Sequence, residues 1–236
     1  MKQLLAWSLV FACTAAFGQP QEPQKWKQWI PAGWKLIRTA TGDLNNDGKS
    51  DAALVIEQAD PRNRKQNTGL GQSVLNTNPR RLLILLNTPA GFALTAGAEH
   101  FLPSEGSPES SCLSDPLEEG GVSVKRGVLQ IDLHYWLSCG SYGVTHQTFK
   151  FRYEGGRFRL IGLDTWEFMR NSGERAEAST NYLTGKRKST TGLNDSEQPA
   201  PKPKVAWDEV RNRGPFFLDA IGSECPAEAN AGNWCQ

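Results

Sequence analysis

The sequence predicts a mainly β fold of antiparallel, blade-like meanders, partial or open and propeller-like, with few short helices. Three observations carry this. Leu129, Ile131, Leu133, Tyr135 and Leu137 alternate with Gln130, Asp132, His134 and Trp136, and Phe149, Phe151 and Tyr153 alternate with Thr148, Lys150 and Arg152. A period of two marks a strand with one buried face. Ala52 to Ile56 and Leu82 to Leu86 are unbroken apolar runs, the pattern of strands covered on both faces. A plan of strand, glycine turn, aromatic and strand occurs twice, at Ile84 to Leu94 and at Phe151 to Leu160. Two similar meanders point to stacked blade-like units.

Each element follows from local chemistry. Glu154-Gly155-Gly156 supplies the turn after Phe149–Tyr153, and Phe158 and Leu160 continue in the partner strand. Asp60 to Arg80 is polar and sits between two strong strands, so it reads as a long mobile excursion. Thr190 to Lys204 ends in Pro-Ala-Pro-Lys-Pro-Lys, the composition of a stiff, extended linker. Trp207 to Ile221 reads as a short closing segment. No stretch carries a convincing helical stripe.

The N-terminus reads as an export signal: a basic Lys2, an apolar core from Leu4 to Ala16 and a small-x-small site at Ala16-Phe17-Gly18. Lipidation at Cys13 is the alternative, disfavoured by Phe11. The expected organisation is therefore a signal peptide over 1–18, a β domain over 19–189, a Pro/Lys linker over 190–204 and a C-terminal segment over 205–236. The expected location is periplasmic or secreted, and no other segment is long and apolar enough for a helical span.

Lys+Arg total 26 against 25 Asp+Glu, so removing Lys2 with the signal leaves the mature chain near neutrality. That argues against nucleic acid, which is held mainly by bulk positive charge. Four cysteines remain after cleavage: Cys112, Cys139, Cys225 and Cys235. An even number in an exported chain implies disulfides. Three pairings are open, of which Cys112–Cys139 with the short-loop Cys225–Cys235 is favoured. None of the spacings is a CxxC zinc or redox motif.

Thr41 to Glu57 reads TGDLNNDGKSDAALVIE. With Asp43 as position one, Asn45, Asp47 and Asp51 fall at three, five and nine, Gly48 permits the sharp turn and Lys49 can offer its carbonyl. Hard oxygen donors in a flexible loop suit calcium rather than zinc or copper. Position twelve is Leu54, where an EF-hand needs a bidentate glutamate, and a strand follows instead of a helix.

Thr41 to Asp51 resembles instead the calcium loop of FG-GAP (VCBS-type) repeats, over roughly residues 33–96. The resemblance implies a β-blade with a structural calcium held by Asp43, Asn45, Asp47, the Lys49 carbonyl and Asp51. The second meander departs from it. Its Val122-Ser-Val-Lys-Arg-Gly stretch has no carboxylate, so a second blade would be metal-free. A closed propeller takes about four blades or more, more than this chain offers. An open, blade-derived structure is expected, with Asn181 to Gly185 completing it.

Asp132, His134 and Trp136 share the polar face of one strand, and a hairpin around Gly140 would bring His146 opposite His134. Such a cluster could bind a transition metal or act as acid and base, though a slip of one residue would send His146 to the other face. With Tyr142 nearby, the same face is a candidate recognition patch for a protein or glycan. No G-x-S-x-G elbow, phosphate loop or dinucleotide fingerprint is present. The expected function is non-catalytic binding to a protein or cell-envelope glycan, with structural calcium. The rival is an envelope hydrolase using carboxylates or the Asp/His residues of the sheet face.

Overall fold

The computed structural model describes residues 25–196 and 202–221. The expected signal segment with Cys13, and the Cys225–Cys235 pair, lie outside the described residues. Thirteen strands run in chain order: β1 (Trp34–Gly42), β2 (Asp51–Gln58), β3 (Arg64–Gln66), β4 (Val74–Asn76), β5 (Arg80–Thr88), β6 (Gly91–Ala98), β7 (Gly121–Lys125), β8 (Val128–Trp136), β9 (Gly143–Glu154), β10 (Arg157–Met169), β11 (Glu174–Asn181), β12 (Lys186–Asn194) and β13 (Lys204–Glu209). Short 3-10 turns lie at Lys27–Trp29 and Pro61–Asn63. Every pairing between named strands is antiparallel, and no sheet closes on itself.

β1, β2, β5 and β6 form one four-stranded sheet in the spatial order β1-β2-β5-β6. Its apolar runs are buried on both faces, as their composition requires. Ala53, Val55, Leu82 and Ile84 join the main core, while Ala52, Leu54 and Leu85 pack beneath Trp26. Trp26 is sealed in by an edge-on Phe92, ring centroids 5.0 Å apart. Burying each large side chain contributes about 1.5–3 kcal/mol, so a sheet covered twice is well anchored.

The second meander belongs to a separate and larger sheet. β7 to β13 form one continuous seven-stranded sheet in strict sequence order, β13 to β7. Leu129, Ile131, Leu133, Phe149, Phe151, Phe158, Leu160 and Leu163 face the first sheet, with Phe101 wedged edge-on between Phe149 and Phe151. The β9–β10 turn needs Gly155 and Gly156, whose φ values of 57° and 85° are the paired left-handed conformation of a type I′ hairpin. Asn181 to Gly185, expected to complete the structure, is instead the turn between β11 and β12.

Two further expectations are corrected. Asp60 to Arg80 is not a free excursion. It carries the β3–β4 hairpin, and the Asn78 side chain clips it through Asp60 N to Oδ1 (3.0 Å) and Nδ2 to Asp60 O (3.1 Å). Asparagine side chains replace the missing backbone ladder here. The Thr190 to Lys204 stretch is largely structured at both ends: Thr190–Asn194 belong to β12, and Lys204 starts β13, which pairs with β12 from Lys186↔Glu209 to Thr191↔Lys204. Proline-rich composition hid a strand that begins right after the last proline.

The closing segment does close the core. Leu160 N donates to Phe216 O and Leu218 N to Phe158 O, both at 2.9 Å, seating Phe216, Leu218 and Ile221 against Tyr182. Cys112 and Cys139 form a disulfide, tying the long β6–β7 connection to the end of β8. Inside the core, Gln147 is fully buried on the face it shares with Phe149 and Phe151, and neither amide atom has a partner among the described residues.

Candidate functional site on the outer sheet face

Strand alternation decides what the seven-stranded sheet shows to the outside. His134 stands opposite His146, His146 opposite Trp166, Trp166 opposite Glu177, and Glu177 opposite Thr190. The next row on the same face runs Asp132, Thr148, Asp164, Ser179, Lys188 and Trp207. The histidine pairing is the one the Gly140 hairpin implied.

The rings form a cluster. His146 lies nearly parallel to Trp166, with centroids 5.7 Å apart and planes 11° apart. His134 is 5.8 Å from His146 and 5.9 Å from Trp166. Asp132 accepts from Thr148 Oγ1 at 2.5 Å and lies 3.5 Å from His146 Nε2. Glu119 approaches His134 Nε2 at 3.2 Å. Burial raises the Asp132 carboxyl, but the hydrogen bonds from His146 and Thr148 outweigh it and hold the group below its ordinary value. Burial, with the neighbouring His146, pushes the His134 imidazole below its ordinary value despite Glu119 and so favours the neutral ring.

The remaining polar groups on this face satisfy one another across strands. Asp164 is held by Lys150 and by Ser179 Oγ at 2.7 Å. What is left open is a shallow depression of about 290 Å³, lined by His146, Asp164, Trp166, Glu177, Lys188 and Thr190 among others. An aromatic ring beside carboxylates, hydroxyls and an ammonium is chemistry for holding a polar ligand that has an apolar face. Trp166 escaped the sequence reading, although its alternation with Thr165 and Glu167 continues the period of two.

Trp136 follows His134 on the same face of β8, and with Tyr142 it packs against Arg170. The Arg170 guanidinium lies 4.7 Å over Trp136 and 5.9 Å from Tyr142, and it donates to Leu137 O and Ser141 O at 2.7 and 2.8 Å. This is a clamp on the β8–β9 connection, separate from the histidine row.

In the acidic loop, the side chains turn inward onto the loop's own amides. Asp43 accepts from Asp47 N (3.2 Å) and Gly48 N (2.9 Å), Asn45 from Asp47 N (3.1 Å) and Asp47 from Lys49 N (2.8 Å). Gly48 sits at φ 83°, as the turn demands. Asp51 is completely buried, and its two oxygens accept from Leu44 N (2.7 Å) and Asn87 N (2.8 Å), pinning the loop to β5. Among the described residues no three His, Cys, Asp or Glu are drawn together as a metal cluster, neither here nor at Asp132, His134 and His146. The donor chemistry of the loop, all oxygen, fits calcium.

No protein-family model, no curated protein and no solved structure matches the chain. No helix among the described residues is long and apolar enough to cross a membrane.

Proposed function

We propose that the chain is an exported, non-catalytic binding protein of the bacterial envelope. Its outer sheet face holds a glycan, and its Thr41–Asp51 loop takes a structural calcium. The observation that carries the reading is the near-parallel His146–Trp166 pair beside the open depression. A sugar ring has an apolar face that stacks on indole and a rim of hydroxyls that suits Asp164, Glu177, Lys188 and Thr190. The Cys112–Cys139 disulfide is compatible with an oxidising compartment. On binding calcium, Asp43, Asn45 and Asp47 would exchange amide partners for the cation, with the Lys49 carbonyl and Asp51 completing the set that the FG-GAP resemblance implies.

The test is a titration of the mature protein with solubilised envelope glycan fragments. Trp166→Ala should weaken binding by at least about tenfold, as loss of a central aromatic anchor does, with unchanged melting. Equal binding by the variant would refute the face assignment. A second reading, hydrolysis, is favoured by Asp132 and His146 lying side by side as an oriented base. It requires product release from the same fragments, abolished in Asp132→Ala and His134→Ala variants that melt normally.

A further inference from the structure

The exposed edge of the seven-stranded sheet has a self-complementary sequence. β13 is Lys204-Val-Ala-Trp-Asp-Glu209, exposed along its whole length, and it ends the sheet among the described residues. Val205 and Trp207 are 52 % and 66 % exposed, side by side on the outer face. An unpaired edge of this kind is a template for another strand, and soluble proteins blunt such edges with prolines, bulges or inward charges. β13 has an unbroken register with β12, with no proline or bulge within it, and its inward charges Lys204 and Asp208 are of opposite sign, so a partner strand can neutralise them.

We infer that β13 pairs antiparallel with β13 of a second copy of this chain. In a two-fold antiparallel pair, hydrogen-bonding groups of alternate residues point outward, so the axis must pass at a residue. With the axis at Ala206, the small side chain meets its own copy. Lys204 then stands opposite Asp208 twice, and Val205 opposite Trp207 twice. Neither Lys204 nor Asp208 takes part in an ion pair among the described residues. Moving the axis to Trp207 sets two indoles against each other and Val205 against Glu209, so the complementary register is unique. Cross-strand pairs of opposite charge, and aromatic with β-branched pairs, are the units that stabilise a sheet.

The residues sort by face. Val205 and Trp207 share the outer face with Lys188 and Thr190, while Lys204, Ala206 and Asp208 lie on the other side. The dimer therefore joins two outer faces into one continuous sheet, with the apolar pairs in the middle and a copy of the depression on either side. A polymeric ligand can then engage both copies, which raises avidity without new contacts. The dimer itself does not depend on what the depression binds.

Sedimentation velocity of the mature, oxidised protein over a concentration series tests this. The expected result is a concentration-dependent monomer–dimer equilibrium. Lys204→Glu and Asp208→Lys should each weaken it several-fold by placing like charges opposite each other, and the double variant should restore it. Trp207→Ser should weaken it about tenfold or more. All three positions are exposed, so folding is unaffected. A monomer at every concentration would overturn the inference. So would a dimer indifferent to these changes, or one that the double variant fails to restore.

Discussion

Replacing Arg80 by methionine should cost roughly 3–5 kcal/mol, the range for removing one partner of a buried ion pair. The Arg80 side chain is 3 % exposed at the start of β5. Its Nε donates to Glu57 Oε2 at 2.9 Å, and its two terminal nitrogens grip Asp115 at 2.6 and 2.8 Å. Glu57 is buried too, and is further held by Lys35 at 2.8 Å and Asn76 Nδ2 at 3.0 Å. The network joins the core of the first sheet to the β6–β7 connection. Methionine keeps the volume of the arginine stem, so the loss isolates the charge.

The pH dependence has a definite sign. Burial raises both carboxyls, but hydrogen bonds from Lys35, Arg80 and Asn76 hold Glu57 below 4.5, and Arg80 holds Asp115 below 3.8. Groups depressed in the folded state bind fewer protons than in the unfolded chain. Their contribution is present above the unfolded values and is lost as pH falls through the folded ones. The native protein should thus lose stability below about pH 4.5. In Arg80→Met the burial is no longer opposed by the guanidinium, so its deficit should be greatest at neutral pH and shrink in acid. Chemical denaturation at pH 7 and pH 4 measures both. A deficit equal at the two pH values would contradict the account. The companion triple replacement Arg80→Met, Glu57→Leu and Asp115→Leu should recover most of the loss.

The second large effect is expected at the disulfide. Cys112 and Cys139 are 27 residues apart in sequence. Closing a loop of that length restricts the unfolded chain by about 3.5 kcal/mol. The double Cys112→Ser, Cys139→Ser variant should therefore melt roughly 7–14 °C lower, at about 2–4 °C per kcal/mol for a chain of this size. The bridge fastens a segment that runs beside β8 as a surrogate strand, with Ser138 N to Cys112 O at 2.8 Å, Ser114 N to Trp136 O at 2.9 Å and His134 N to Pro116 O at 2.9 Å. That segment also carries Asp115 to Arg80 and Glu119 to His134. Its release should therefore loosen the His134 end of the outer face before the rest of the sheet. Hydrogen exchange should show faster opening at Ser114, His134 and Ser138 than across β9 and β10. Uniform change would argue against this coupling.

What was legible in the sequence was what local pattern encodes. The alternation through β8 and β9 placed Leu129, Ile131 and Phe149 inside, and with the Gly140 turn it set His134 against His146. The doubly apolar runs of β2 and β5 announced a sheet covered on both faces. Long-range polar pairing was not legible. Arg80 and Asp115 are 35 residues apart, and Arg80 and Glu57 are 23 apart, so each charge read alone looks like an ordinary solvated group. β13 was missed because the prolines before it dominate the local composition. The seven-stranded continuity was missed because β11 and β12 carry few apolar residues, their faces lying largely outside the core.

The claim that carries most weight is that Thr41 to Asp51 is a structural calcium loop, since the FG-GAP resemblance rests on it. Thermal melting of the oxidised protein in calcium and in excess EGTA tests it most directly. At a calcium concentration about 100 times the dissociation constant, the folded state gains about 2.7 kcal/mol, a rise of roughly 5–10 °C. The rise should vanish in Asp43→Ala and in Asp47→Ala. Identical melting in the two solutions, or a shift that survives both substitutions, would contradict the claim and leave the loop as an Asx-rich turn held by its own amides.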